Sequence, residues 1–214
     1  MKRRVFDLIT SIVGLGLAVL LFIAGGLLTW ANTFVGNEVH KELSNQQIFF
    51  PAKAALSSLP AKDAAAMGKY AGKKMTTGAQ AETYADHFIA VHLSEMPSST
   101  DAALEAKLAP YKGHTYAQLG TDISSTTDQA VIDALTSTRA TVFQGETLRG
   151  LLLNAYAFGT MGTIAGIAAI AAWIGGGLLT VLGGLGLWHS RRVGGDTEVL
   201  IPHEHTPTDT LATV

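Results

Sequence analysis

The chain has 214 residues, of which 48% are apolar and only 15% charged, with a mean hydropathy of +0.28. This profile is too apolar and too poor in charge for an ordinary water-soluble domain, and a formal net charge of -2 leaves no basic stripe to neutralise nucleic-acid phosphates. The absence of cysteine excludes disulfides, thiolate catalysis, iron–sulfur clusters and cysteine-based zinc sites together, so any folded head must hold itself by packing alone.

The N-terminus places Lys2, Arg3 and Arg4 before an apolar stretch, and Leu8 to Trp30 is uncharged throughout. About 20 apolar residues suffice to cross a bilayer as a helix. A cleaved signal peptide and a retained signal anchor compete here. A signal peptide has an apolar stretch of about 7 to 15 residues followed by a small-residue cleavage site, whereas this stretch is longer and its nearest small pair, Ala24 and Gly26, lies inside it. The anchor is therefore expected, with Trp30 at the outer headgroup level where indole rings prefer to lie.

Glu38 to Ser44 reads as helix continuing beyond the span, and Phe49-Phe50-Pro51 breaks it, because a residue before proline is pushed out of helical geometry. Pro60 opens a helix over Ala61 to Met75 that is expected to stop at Thr76-Thr77-Gly78. Ala79 to Met96 is the most helix-like piece, with Tyr84, Phe88 and Val91 on one apolar face, and Pro97 ends it. A short helix follows over Asp101 to Ala109, then a connector containing Pro110, Gly113 and Gly120 and carrying His114, Tyr116 and Leu119. Thr126 with Gln129 has capping-box spacing and should open a long helix whose face is Val131, Leu135, Thr138, Val142 and Gly145. From Asp128 to Leu187 there is no proline, so one helix of about 60 residues, about 90 Å long, can run through. No alternating strand pattern is present anywhere.

Gly150 to Trp188 lacks any Asp, Glu, Lys, Arg or His. The run exceeds one perpendicular span, so a second transmembrane helix over residues 161–188 is expected, with Leu151 to Thr160 continuing outward to pack on a head. A re-entrant pair broken at Gly175-Gly176-Gly177 is the alternative, but the piece after it is too short to span. Arg191 and Arg192 follow the run. With the N-terminal basic cluster they predict, by the positive-inside rule, that both termini are cytoplasmic. The expected fold is therefore all-α: a basic N-terminus and first transmembrane helix at 1–30, an extracytoplasmic helical head at 31–160, a second transmembrane helix at 161–188, and a polar, disordered cytoplasmic tail at 189–214.

Within the second span, Gly162 and Gly166 form a small-xxx-small pair, and Ala168, Ala172 and Gly176 continue a small-residue series with Thr180 and Gly184. In lipid, close backbone approach through small residues replaces the hydrophobic effect as the source of helix association. Gly14, Ala18 and Gly25 of the first span are the expected counterpart, with a second copy or another membrane protein as the alternative partner.

The segments Gly72 to Leu93 (GKKMTTGAQAETYADHFIAVHL), Gly113 to Gly120 (GHTYAQLG) and Arg139 to Gly159 (RATVFQGETLRGLLLNAYAFG) resemble a family of small two-span membrane proteins common in actinobacteria. Many of its members carry the label of aromatic ring-opening dioxygenase. The resemblance implies the two-span architecture and an actinobacterial envelope, and it brings no catalytic residue to any position here.

The label can be weighed against the residues. Ring-opening by non-haem iron wants two His and one carboxylate on a facial triad. The head offers His40, His87, His92 and His114, but the one close pair, His87 and His92, is separated by about 140° around a regular helix. His92 with Glu95 shares a face, and Asp86 adjoins His87, as helical surface neighbours commonly do. His203 and His205 lie in the polar tail, and neither an H-E-x-x-H nor a phosphate-binding P-loop occurs. Arg149 is expected to be an interfacial or head-packing charge that pairs with an acid of the head, with an anion site as the alternative. No catalytic, cofactor or metal residue is assigned. The expectation is an integral envelope protein that contacts lipid and binds other proteins as a scaffold or accessory subunit, with a membrane-anchored iron dioxygenase and a transport or channel element as alternatives.

Overall fold

The structure, a computed structural model, describes residues 3–192; Lys2 and the tail from residue 193, with His203 and His205, lie outside the described residues. Every regular element among the described residues is helical, and the one β contact is an isolated antiparallel bridge between Phe49 and Lys74. Two very long helices, α1 (Arg3–Asn45) and α7 (Gln129–Arg192), enclose in sequence the short helices α2 (Ala61–Gly68), α3 (Gly78–Tyr84), α4 (Ala90–Ser94), α5 (Ala102–Leu108) and α6 (Tyr116–Ser125). The chain divides into two compact units: Trp30–Ala165, and the helix segments that precede and follow it.

In the second of these units, α1 up to Thr29 meets α7 from Gly166 onward. Both helices are long and apolar enough to cross a membrane, and only 17% of each apolar window is buried. The core helix of a soluble protein would be mostly covered; here Leu20, Ile23, Leu27, Ile167, Ile170 and Leu178 are all exposed. What is covered is small. On α1 it is Ser11, Ala18 and Gly25, and on α7 Ala169, Gly176, Gly183 and Ser190, each of these sets stepping by seven, with Ala172 beside the second.

Contacts descend along α1 as they ascend along α7. A Cβ on Gly25 would meet the Trp173 indole at 3.2 Å, one on Gly176 the Phe22 ring at 2.9 Å, and one on Gly183 Leu15 at 2.8 Å, while one on Gly186 would collide with the Ser11 hydroxyl. The indole N–H of Trp173 donates to Thr29 Oγ1 at 3.2 Å, and its ring lies 5.5 Å from Phe22.

Of the expected i+4 series, Ala172 and Gly176 lie where α7 meets α1, and Ala168 does not. Four residues turn a helix by about 400°, so repeated i+4 steps drift off a straight contact line, whereas a seven-residue repeat stays on it when the helices supercoil slightly. Ala169 is buried and Ala168 exposed, as are Thr180 and Gly184; Ala172 and Gly176 are buried and Gly166 half-buried. Arg4, Arg191 and Arg192 are exposed, and the Arg192 guanidinium lies 4.1 Å over the Trp188 ring.

The Trp30–Ala165 unit is built differently. Its core is made of large side chains: Met67, Met75, Leu108, Leu119 and Leu135 are each 0% exposed, and each contributes about 1.5–3 kcal/mol by the usual scale of apolar burial. The expected α7 face is its spine, with Val131, Leu135, Thr138 and Val142 buried, and Leu93 fills the space over Gly145. Phe50, Tyr84 and Phe88 form an aromatic chain with ring centroids 5.5 and 4.8 Å apart, and burial raises the Tyr84 phenol above its ordinary value.

Several expected boundaries move. Helix α2 stops at Gly68 rather than Met75, because Gly72 takes a left-handed φ of 71° that turns the chain back so that Met75 N–H reaches Ile48 O at 2.8 Å. Thr76-Thr77-Gly78 is then a start and not a stop: Thr77 and Gln80 form a complete capping box at the head of α3. The connector after Pro110 contains a helix, α6, opened by a second capping box, Thr115 with Gln118. The long helix α7 is capped by Asp128, whose Oδ1 accepts from the N–H groups of Ala130 and Val131, while Gln129 turns instead to Asp133 at 2.8 Å. Finally, the expected helix over Ala79 to Met96 is interrupted by a π-helical turn at Ala85–Ile89.

Candidate functional site

The π turn sends neighbouring side chains to different elements. Asp86 receives Arg149 Nη2 of α7 at 2.9 Å, with Glu146 3.7 Å from the same guanidinium, and His87 Nδ1 donates to Asp63 Oδ1 of α2 at 2.6 Å. Wide turns of this kind occur often at functional sites, yet here each polar group is spent on tying helices together. His92 donates from Nδ1 to the Phe88 carbonyl at 2.7 Å, and its ring lies tilted against the Phe88 ring with centroids 4.3 Å apart. The angular separation expected for His87 and His92 presumed a regular helix, which the π turn removes, but their partners still differ.

His114 donates to Asp122 Oδ2 at 2.7 Å, binding the turn before α6 to that helix, and His40 is exposed on α1. Among the described residues, no group of three or more His, Asp or Glu side chains is placed to hold a metal ion. Elsewhere, Lys112 holds the Glu105 carboxyl below its ordinary range by a direct hydrogen bond, and Lys107 does the same for Asp128.

Gly162 and Gly78 mark close approaches inside the Trp30–Ala165 unit. A Cβ on Gly162 would lie 3.2 Å from Val35 of α1, and one on Gly78 would lie 3.0 Å from the backbone of Ala155 and Tyr156. The second is the tighter constraint, since backbone cannot swing aside as a side chain can; it brings the start of α3 onto α7.

On α1 and α7 within this unit lies a groove of about 470 Å³. Phe34, Val35 and Val39 of α1 form one wall and Leu151, Leu152 and Phe158 of α7 the other. Phe34, Leu151 and Phe158 are each more than half exposed, at 53%, 61% and 56%, so an apolar surface with no cover is open to whatever surrounds it. Glu38, Glu42 and Gln46, one turn apart from one another and exposed, make a polar row along the α1 side. The hint in the sequence was the excess apolar stretch Leu151 to Thr160, longer than a span requires; the polar row gave no distinguishing signal among other surface charges.

No protein family matches the chain, and comparison with curated proteins and with solved structures likewise finds no match.

Proposed function

We propose that the chain is a two-span membrane protein of a bacterial envelope, of the actinobacterial kind that its sequence resembles, acting as a binding scaffold or accessory subunit. In this reading α1 and α7 cross the bilayer as a hairpin, both termini are cytoplasmic, and the Trp30–Ala165 unit is an extracytoplasmic head that meets another protein. The observation that carries it is the uncovered apolar groove on α1 and α7, a surface whose exposure is costly unless a partner covers it. Supporting the membrane assignment are the two apolar windows, each only 17% buried, turned outward on bulky aliphatic side chains and inward on small ones. A ring-opening dioxygenase draws no support from His87, His92 and His114, which are engaged with Asp63, Phe88 and Asp122 at three separate places.

The test is purification of the full chain in mild detergent, followed by size exclusion, identification of co-eluting protein, metal analysis and oxygen uptake with a catechol. A partner protein eluting at a fixed ratio is expected. A chain that elutes alone, retains about one iron after anaerobic ferrous reconstitution and consumes oxygen with catechol contradicts the proposal.

A further inference from the structure

From Phe34 to Gln46 the groove follows α1 for twelve helical steps, about 18 Å at the usual helical rise. That is the length of about three helical turns, and an open trough between two helices is the shape into which a third helix lays its apolar face. We infer that the groove docks one helix of another protein, with an apolar stripe of about three turns and Lys or Arg along the flank that meets Glu38 and Glu42. This rests on reading the chain as a membrane-anchored binding component and names the chemistry of what it binds.

Charge decides among the occupants. Among the described residues, Glu38 is approached only by the exposed Lys41 at 3.7 Å, and Glu42 forms no ion pair. Two adjacent carboxylates on a rim repel one another and favour a cation brought by the occupant. A lipid acyl chain gains nothing from them, and an anionic headgroup is repelled. A second copy of this chain is also a poor fit. Among the described residues the groove is lined by no Lys or Arg, so two grooves laid face to face would bring no cation from their walls to the carboxylates. A helix with a basic flank is the one occupant that satisfies both the apolar walls and the acidic row.

The chain lacks cysteine, so Leu151→Cys in the full-length protein takes one environment-sensitive dye at the groove wall. With the protein in phosphatidylcholine nanodiscs, two synthetic helical peptides sharing one leucine stripe are titrated, one flanked by Lys and one by Glu. The expected result is a saturable blue shift with the Lys peptide at about tenfold higher affinity than the Glu peptide, the scale of two solvent-exposed ion pairs. Glu38→Lys with Glu42→Lys should reverse that order.

Equal affinity for both peptides, or no saturable shift, overturns the inference. So does a blue shift that grows with protein concentration in the absence of peptide, which would assign the groove to a second copy. An equal response from dye at the exposed Lys73→Cys, which is not among the groove's lining residues and reports non-specific adsorption of peptide, also overturns it. If the peptides fail while a co-purified partner remains, the groove inference falls and the scaffold reading stands. Loss of the partner together with iron-dependent oxygen uptake removes the scaffold reading itself.

Discussion

Where α1 and α7 meet below Thr29 and beyond Gly166, association depends on side chains being absent; in the Trp30–Ala165 unit it depends on side chains filling space. In the first region Gly25, Gly176 and Gly183 leave room for Trp173, Phe22 and Leu15, while Leu20, Ile23, Leu27, Ile167 and Ile170 point away. In the second, Met67, Leu108, Leu119 and Leu135 are fully enclosed, and capping boxes and ion pairs hold the short helices. On the proposed membrane reading, the difference follows the solvent. Water drives large apolar groups inward, whereas lipid is as apolar as leucine and leaves close backbone contact as the main gain.

The largest expected effect breaks the head and not the pair. Leu135→Ala, at a site with 0% exposure, should cost about 2–5 kcal/mol and lower the thermal midpoint of the head; a change within error in a detergent melt would mean that the head is not packed as described. Next comes Ile170→Lys. Ile170 is 61% exposed, so in water the change would be nearly neutral, but at mid-bilayer a lysine costs about 3 kcal/mol. The variant should be depleted from the membrane fraction, and normal membrane yield would count against lipid exposure of this face.

A glycine pair sharpens the comparison. Gly183→Ile must displace Leu15, whereas a Cβ on its neighbour Gly184 would have nothing within 4 Å. Gly183→Ile should lose about 1 kcal/mol or more in detergent and Gly184→Ile much less; equal losses would dissolve the seven-residue seam.

How much of this was legible depended on how local the signal was. The length of α7 followed from an absence of proline and its buried face from Val131, Leu135, Thr138 and Val142, all readable at helical spacing. The α1 extension past the apolar run and the Arg149 ion pair were likewise within reach. The α1–α7 contact takes Ala169 and not Ala168, a distinction that a window of i+4 pairs cannot make, since it does not separate a 3.5-residue period from a four-residue one over a few turns. Thr77-x-x-Gln80 and Thr115-x-x-Gln118 carried the capping pattern but lay beside glycines that read as stops. The π turn at Ala85–Ile89 and the His87–Asp63 and His114–Asp122 pairs depend on tertiary contacts, and no local residue pattern announces them.

The smallest effect is electrostatic. Glu105 and Asp128 both have carboxyls lowered from their ordinary range, chiefly by hydrogen bonds from Lys112 and Lys107. A depressed folded value gives stability that is present above the ordinary carboxylate range and lost as pH falls through the folded value. Both sites are solvent-exposed, so the slope should be slight. Melts of the chain between neutral pH and about pH 3 should show acid loss that Lys107→Met with Lys112→Met flattens; an unchanged slope in that double variant would place the acid sensitivity elsewhere.

The central claim, that α1 and α7 cross a bilayer with the Trp30–Ala165 unit outside, is tested most directly by cysteine accessibility in a chain that has none of its own. One variant carries Lys73→Cys in the head and another a single cysteine appended after Val214. A membrane-impermeant maleimide applied to intact cells should label the first, and the second only after the cells are opened. Labelling of the appended cysteine on intact cells, or protection of Lys73→Cys until lysis, would contradict the account.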